Sequence, residues 1–135
     1  MIVADSIIYG DKDFLLGFDE VEHPVALQIA GSDPLTLSKA ALIGEQYGYD
    51  EINLNIGCPS KRVQAGNFGV CLMAHPKLVA ECVEKIKEKV KIPVTIKCRI
   101  GIDDHNPDEM LTEFVETTKN AGVSTYIIHA RKAML

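Results

Sequence analysis

The sequence predicts an α/β fold with parallel strands, about half of a TIM-type (β/α)8 barrel. Three observations lead there. Strand-like and helix-like segments alternate along the chain with short connections, which implies parallel strands joined by right-handed crossovers. No G-x-G-x-x-G follows any strand, which disfavours the competing open, doubly wound sheet. Polar side chains recur at the C-terminal ends of successive strands, where a barrel gathers its functional residues.

The elements follow in order. Ile2 and Val3 read as the tail of a strand, and Phe14, Leu15 and Phe18 suggest a short helix after it. Residues 25–30 are nearly all apolar, as in a strand covered on both faces. Asp33 and Pro34 open a helix that Gly48 closes. In the strand at residues 51–56, Asn53 and Asn55 alternate with apolar residues. A glycine-rich stretch, residues 57–69, comes next. Pro76 then starts a helix whose Leu78, Val79, Cys82, Val83, Ile86 and Val90 share one face, with Glu81 and Lys85 as an i,i+4 pair on the wet side. Pro93 precedes a strand at residues 94–100. Asn106, Pro107 and Glu109 read as N-cap, first-turn proline and capping-box acid. Met110, Leu111, Phe114, Val115 and Thr118 form that helix's buried stripe, Gly122 ends it, and a last strand occupies residues 125–129.

A chain of 135 residues suffices for one domain but is small for a whole α/β enzyme. Its 47% hydrophobic and 24% charged residues match a globular protein. There is no apolar run of membrane-spanning length, and Met1–Asp5 lacks the basic region of a signal peptide, so the expected location is cytoplasmic, with no membrane partner. A net charge of -5 means that any RNA contact needs a local basic patch or another part of the protein. The four cysteines lack C-x-x-C spacing, so neither a zinc ribbon nor any other metal site is expected, and all four read as free thiols.

Gln28, then Asn53 and Asn55, then Lys97 and Arg99, then His129 mark the ends of four strands. Gln28 alone reads as a satisfied core residue. Four strands with the same feature at the same end read as a site, because buried amides and cations cost desolvation energy unless something satisfies them. Cys58 follows the second of these strands in Asn55-Ile56-Gly57-Cys58-Pro59-Ser60. Gly57 permits close backbone approach to a ligand, and Pro59 stiffens the turn. A thiol placed there suits a nucleophile or an acid that delivers a proton to carbon. A buried structural role suits Cys82 and Cys98 better. Lys61, Arg62, Gly66 and Gly69 fit either a phosphate-approaching loop or a plain flexible one.

These residues also carry a family resemblance. The run from Asn53 to Gln64, followed by Gly66, Phe68-Gly69 and Cys71-Leu72-Met73, resembles the signature of the tRNA-dihydrouridine synthases, in the DusA-like branch. Val25-Ala26-Leu27-Gln28, Ile96-Lys97-Cys98-Arg99-Ile100-Gly101 and Ile128-His129-Ala130-Arg131-Lys132-Ala133 match as well, and Val70 stands where the branch usually has alanine. The resemblance implies a TIM barrel that holds FMN, NADPH as the reductant of the flavin, and hydride transfer from N5 to C6 of a D-loop uracil in tRNA. It makes Cys58 the catalytic proton donor to C5. It places Gln28, Lys97 and His129 on FMN and Asn55 on the flipped uridine, with Arg99 nearby in a substrate or electrostatic role.

Against that family the expectation is a single partial barrel domain over residues 1–135, an internal fragment. The family's opening strand, its later strands and its C-terminal helical, tRNA-binding domain have no counterpart in the sequence. Exposed sheet edges would then favour self-association. Two other readings stand beside this one. The first is a flavin-dependent pyrimidine oxidoreductase of the dihydroorotate type, which the Gly57-Cys58-Pro59-Ser60-Lys61-Arg62 context disfavours. The second is a catalytically inactive half-barrel.

Overall fold

Five parallel strands form one sheet in the order in which they occur in the chain. They are β1 (Ile2–Val3), β2 (Ala26–Ala30), β3 (Glu51–Ile56), β4 (Val94–Arg99) and β5 (Thr125–His129). The computed structural model describes all of residues 1–135. Strand order decides between the two sheet types weighed from the sequence. A doubly wound sheet reverses direction at a switch point, which sends helices to both faces. Here the order never reverses, so successive right-handed crossovers place the helices on one face, as in a barrel wall. The architecture is a partial (β/α)8 barrel.

Alternation along the strands agrees with this. Leu27 and Ile29, then Ile52, Leu54 and Ile56, then Val94, Ile96 and Cys98 are buried beneath the helices. The intervening residues point to the opposite face, which carries the polar side chains. The helices are α1 (Ala4–Tyr9), α2 (Lys12–Leu16), α3 (Pro34–Gln46), α4 (Lys61–Ala65), α5 (Pro76–Lys89) and α6 (Pro107–Thr118). Helices α3 and α5 pack against each other, with Leu37, Ala40 and Ala41 from the first and Val79, Val83 and Ile86 from the second in the core. Gly44 lets α3 sit close to the sheet, because a Cβ there would stand 2.6 Å from Leu27 Cδ2.

Most helix boundaries follow the signals in the sequence. The Asp33 carboxylate accepts from the Thr36 amide at 2.8 Å, Pro34 occupies the first turn, and Gly48 adopts the left-handed φ of 95° that ends the element. Asn106 accepts from the amides of Asp108 and Glu109, but Glu109 does not reach back, so that capping box is only half formed. Lys85 pairs with Glu88 at 3.3 Å instead of Glu81. The sixth helix continues through a 3-10 turn, Lys119–Ala121, before Gly122 turns the chain at φ 114°. Two short helices lie where none is expected, α1 and α4, both too brief to show a periodic stripe.

At the opposite end of the sheet, Asp50 Oδ2 accepts from the Val25 amide and meets His23 Nδ1, both at 2.7 Å. This fastens the approach to β2 onto the start of β3. Strand β5 is the last in the sheet, and Ile127 and Ile128, on its two faces, are 45% and 44% exposed.

Candidate active site at the strand ends

The parallel register brings the expected residues together. Gln28 pairs with Asn53, Asn53 with Thr95, Asn55 with Lys97, and Arg99 with His129. All lie on the face turned away from the helices, and successive Cα partners stand about 4.8 Å apart across the sheet.

Their side chains form one continuous hydrogen-bonded chain. Asn55 Oδ1 accepts from the backbone amides of Gly57 at 3.1 Å and Cys58 at 3.0 Å. Asn55 Nδ2 donates to Gln28 Oε1 at 3.0 Å, and Gln28 Nε2 donates to Asn53 Oδ1 at 2.9 Å. Asn53 Nδ2 donates to Thr95 Oγ1, which donates in turn to Glu51 Oε2, both at 2.8 Å. Backbone amides, which only donate, stand at one end, and the Glu51 carboxylate, which accepts from Thr95, stands at the other. The sense of every link between them is therefore fixed. Asn53 and Thr95 are buried, with 4% and 3% exposure, yet no buried polar side-chain atom lacks a partner.

Cys58 lies in the loop that Asn55 holds. The Cys58 carbonyl accepts from the Val70 amide at 3.1 Å, which fastens the loop to the 3-10 segment Gly69–Ala74. Gly69 makes this approach possible. It has a φ of 59°, and a Cβ on it would stand 2.3 Å from Val63 Cγ1 and 2.8 Å from the Cys58 carbonyl oxygen. Arg99 Nε donates to the Gly57 carbonyl at 2.7 Å, so the guanidinium reaches the same loop from β4. The Cys58 thiol is half-buried.

The segment after Cys58, expected as a loop, is partly helical. Ser60 accepts from the Val63 amide and starts α4, and Gln64 Nε2 donates to the Pro59 carbonyl at 2.8 Å. Gly66 is needed for packing, since a Cβ there would stand 2.3 Å from Phe68 Cε1. These glycines serve internal contacts, and spacing alone cannot separate that from ligand approach.

Lys97 and His129 complete the face. Both are exposed, and neither side chain hydrogen-bonds within the chain, whereas Gln28, Asn55 and Arg99 are engaged. Gln28 Nε2 and Asn55 Nδ2 each keep one further N–H. The face thus offers a cation, an imidazole and amide donors to an acceptor-rich ligand. That donor set fits a flavin, whose ring edge and phosphate are lined with acceptors. A separate cleft of about 270 Å³, lined by Val3, Asp5, Gly31, Asp33 and Phe68 among others, opens at the ends of β1 and β2 and contains none of these residues.

Cys82 and Cys98, both buried, separate from Cys58 by environment, whereas Cys71 is half-buried like it. Burial pushes the Cys82 thiol up to about 12 and the Cys98 thiol up to about 11, so both stay protonated and unreactive near neutrality. Sequence reasoning missed Glu51 and Thr95 as members of the polar chain. Their alternation with Ile52 and Ile96 was the available signal.

A partial parallel barrel with a donor-rich face and a thiol loop at its strand ends defines an α/β-barrel protein. The dihydrouridine synthase (Dus) family model matches residues 1–134, and the chain belongs to that family. Proteins named tRNA-dihydrouridine(20/20a) synthase from Synechocystis sp., Vibrio parahaemolyticus and Escherichia coli are 56%, 54% and 53% identical to it, over 100% of this chain. The chain spans 40%, 41% and 41% of the length of these three curated relatives. No helix is long and apolar enough to cross a membrane.

Proposed function

We propose that this chain carries the proton-donating and part of the flavin-binding machinery of an enzyme that reduces uridine to 5,6-dihydrouridine in the D-loop of tRNA. The observation that carries the reading is the Cys58 loop, held by Asn55 and Arg99 beside the unpartnered Lys97 and His129. Family membership and the names of the relatives support the reaction class.

When bound, FMN reduced by NADPH would supply a hydride for C6 of the uracil ring, and Gln28, Lys97 and His129 would hold it. Lys97 gives a positive charge for the anionic edge of the reduced ring, worth most in a water-poor site. Gln28 and Asn55 orient the ring and the base through their spare N–H groups, and His129 donates to an acceptor on the cofactor. Arg99 fixes the Gly57 carbonyl and so the path of the loop. Cys58 Sγ–H delivers its proton to C5, and a uridine in folded RNA leaves its stack to meet it.

In this reading residues 1–135 form a single partial catalytic barrel domain of that enzyme. The enzyme acts in the cytoplasm, and the edges β1 and β5 pair with further strands or with a second copy. Ile127→Lys tests the last point by lowering self-association in sedimentation velocity. The function is tested by flavin fluorescence quenching on the chain and by dihydrouridine formation on unmodified tRNA with a version completed to the length of its relatives. Stoichiometric FMN binding and near-complete loss of product in Cys58→Ala are expected. Full activity of Cys58→Ala refutes the role of the thiol, and reduction of free uracil in place of tRNA points to a pyrimidine oxidoreductase.

A further inference from the structure

We infer that Glu51, Thr95 and Asn53 are positioning residues that set the orientation of the site from the opposite end of the sheet. An amide side chain presents oxygen or nitrogen at nearly equal steric cost, so shape alone does not choose which end of Gln28 or Asn55 meets a ligand. The chain of hydrogen bonds makes the choice. The Glu51 carboxylate accepts only, so the Thr95 hydroxyl points to it and offers its lone pair to Asn53 Nδ2. Asn53 must then turn Oδ1 to Gln28, and Gln28 must turn Oε1 to Asn55. Asn55 is left with its oxygen toward the Gly57 and Cys58 amides.

The two ends agree, so the network has one sense and no equal alternative. A carboxylate on the first residue of β3 thereby reinforces the geometry of the thiol loop beyond the last residue of that strand. Near burial of Asn53 and Thr95 keeps water from substituting for a lost link. Their role in catalysis rests on the reading of Cys58 and Gln28 given above, but the orientation itself is measurable without flavin or tRNA.

The test is hydrogen exchange of the Gly57 and Cys58 backbone amides, read by NMR on the 135-residue chain. Thr95→Val removes the hydroxyl and keeps the shape, and Thr95→Ser keeps the hydroxyl. Thr95→Val is expected to speed exchange at both amides about tenfold, the effect of one hydrogen bond, while Val83 and Ile86 in α5 are unchanged. Thr95→Ser is expected to restore slow exchange. Exchange within about twofold of wild type in folded Thr95→Val overturns the proposal, as does an equal effect of Thr95→Ser. Should Thr95→Val not fold, Glu51→Gln takes its place. Glutamine accepts through its oxygen more weakly than a carboxylate, so faster exchange at the Gly57 and Cys58 amides and shifted side-chain amide signals of Asn53 and Gln28 are expected, and exchange within about twofold of wild type with unshifted signals overturns the proposal.

Discussion

Asn55 Oδ1 lies 3.0 Å from the amide nitrogen of Cys58, so the last polar residue of β3 holds the loop that carries the thiol. The same oxygen takes the Gly57 amide at 3.1 Å, a local side-chain-to-backbone arrangement typical of Asn in turns. Asn55→Ala removes the acceptor for both amides and the donor to Gln28. A loss of about 1–3 kcal/mol is expected in urea denaturation. Asn55→Asp keeps the acceptor for the amides but opposes a carboxylate to Gln28 Oε1, so a smaller loss is expected, with Gln28 turned over.

Cysteine environment predicts an order of modification. Cys58 and Cys71 are half-buried, whereas Cys82 and Cys98 are buried with thiols pushed up to about 12 and about 11. Iodoacetamide under native conditions is expected to label Cys58 and Cys71 first, and the other pair only after denaturant is added. Peptide mass mapping reads the order.

Gly69 predicts a steric penalty at the thiol loop. Gly69→Ala brings a Cβ against Val63 and the Cys58 carbonyl while holding φ at 59°. The left-handed backbone alone costs about 1–2 kcal/mol, and relief of the contact moves Cys58 away from Val70. A lower denaturation midpoint together with faster alkylation of Cys58 is the expected result. Gly57→Ala serves as the control, because its Cβ would meet only ordinary contacts, at 3.6 Å.

His23 and Asp50 predict a pH window. The hydrogen bond to Asp50 holds the His23 imidazole above its ordinary 6.5, and the hydrogen bonds from His23 and the Val25 amide hold Asp50 below its ordinary 3.8. The stabilisation from His23 is full below pH 6.5 and is lost as pH rises through the raised folded-state value. The stabilisation from Asp50 is full above pH 3.8 and is lost as pH falls through the lowered one. The difference in Tm between wild type and His23→Ala is therefore expected to be larger at about pH 5.5 than at about pH 8.5.

The long elements were legible because their signals are local. Pro34, Pro76 and Pro107 each occupy the first turn of a helix, and Asp33 and Asn106 cap two of them. The bounds of β3 and β5 coincide with the expected ranges, since apolar alternation needs only neighbours along the chain. Helices α1 and α4 were not legible. Five or six residues make too few turns for a stripe, and tertiary contacts such as Gly66 against Phe68 hold α4 in place. Lys85 turned to Glu88 because i,i+3 and i,i+4 partners are equally reachable on a wet helix face.

By itself the sequence determined the parallel α/β architecture, the polar strand ends and the loop in which Cys58 lies. These follow from side-chain periodicity and from the motif around Gly57 and Pro59. Only the tertiary structure decided which of those polar side chains bond to one another and which do not. Gln28, Asn53, Asn55, Thr95 and Glu51 read alike as polar residues in strands, yet they close into one hydrogen-bonded chain and leave Lys97 and His129 outside it. The reason is register: hydrogen bonds across a sheet depend on which residues of separate strands stand side by side, and that pairing is set by packing over the whole sheet.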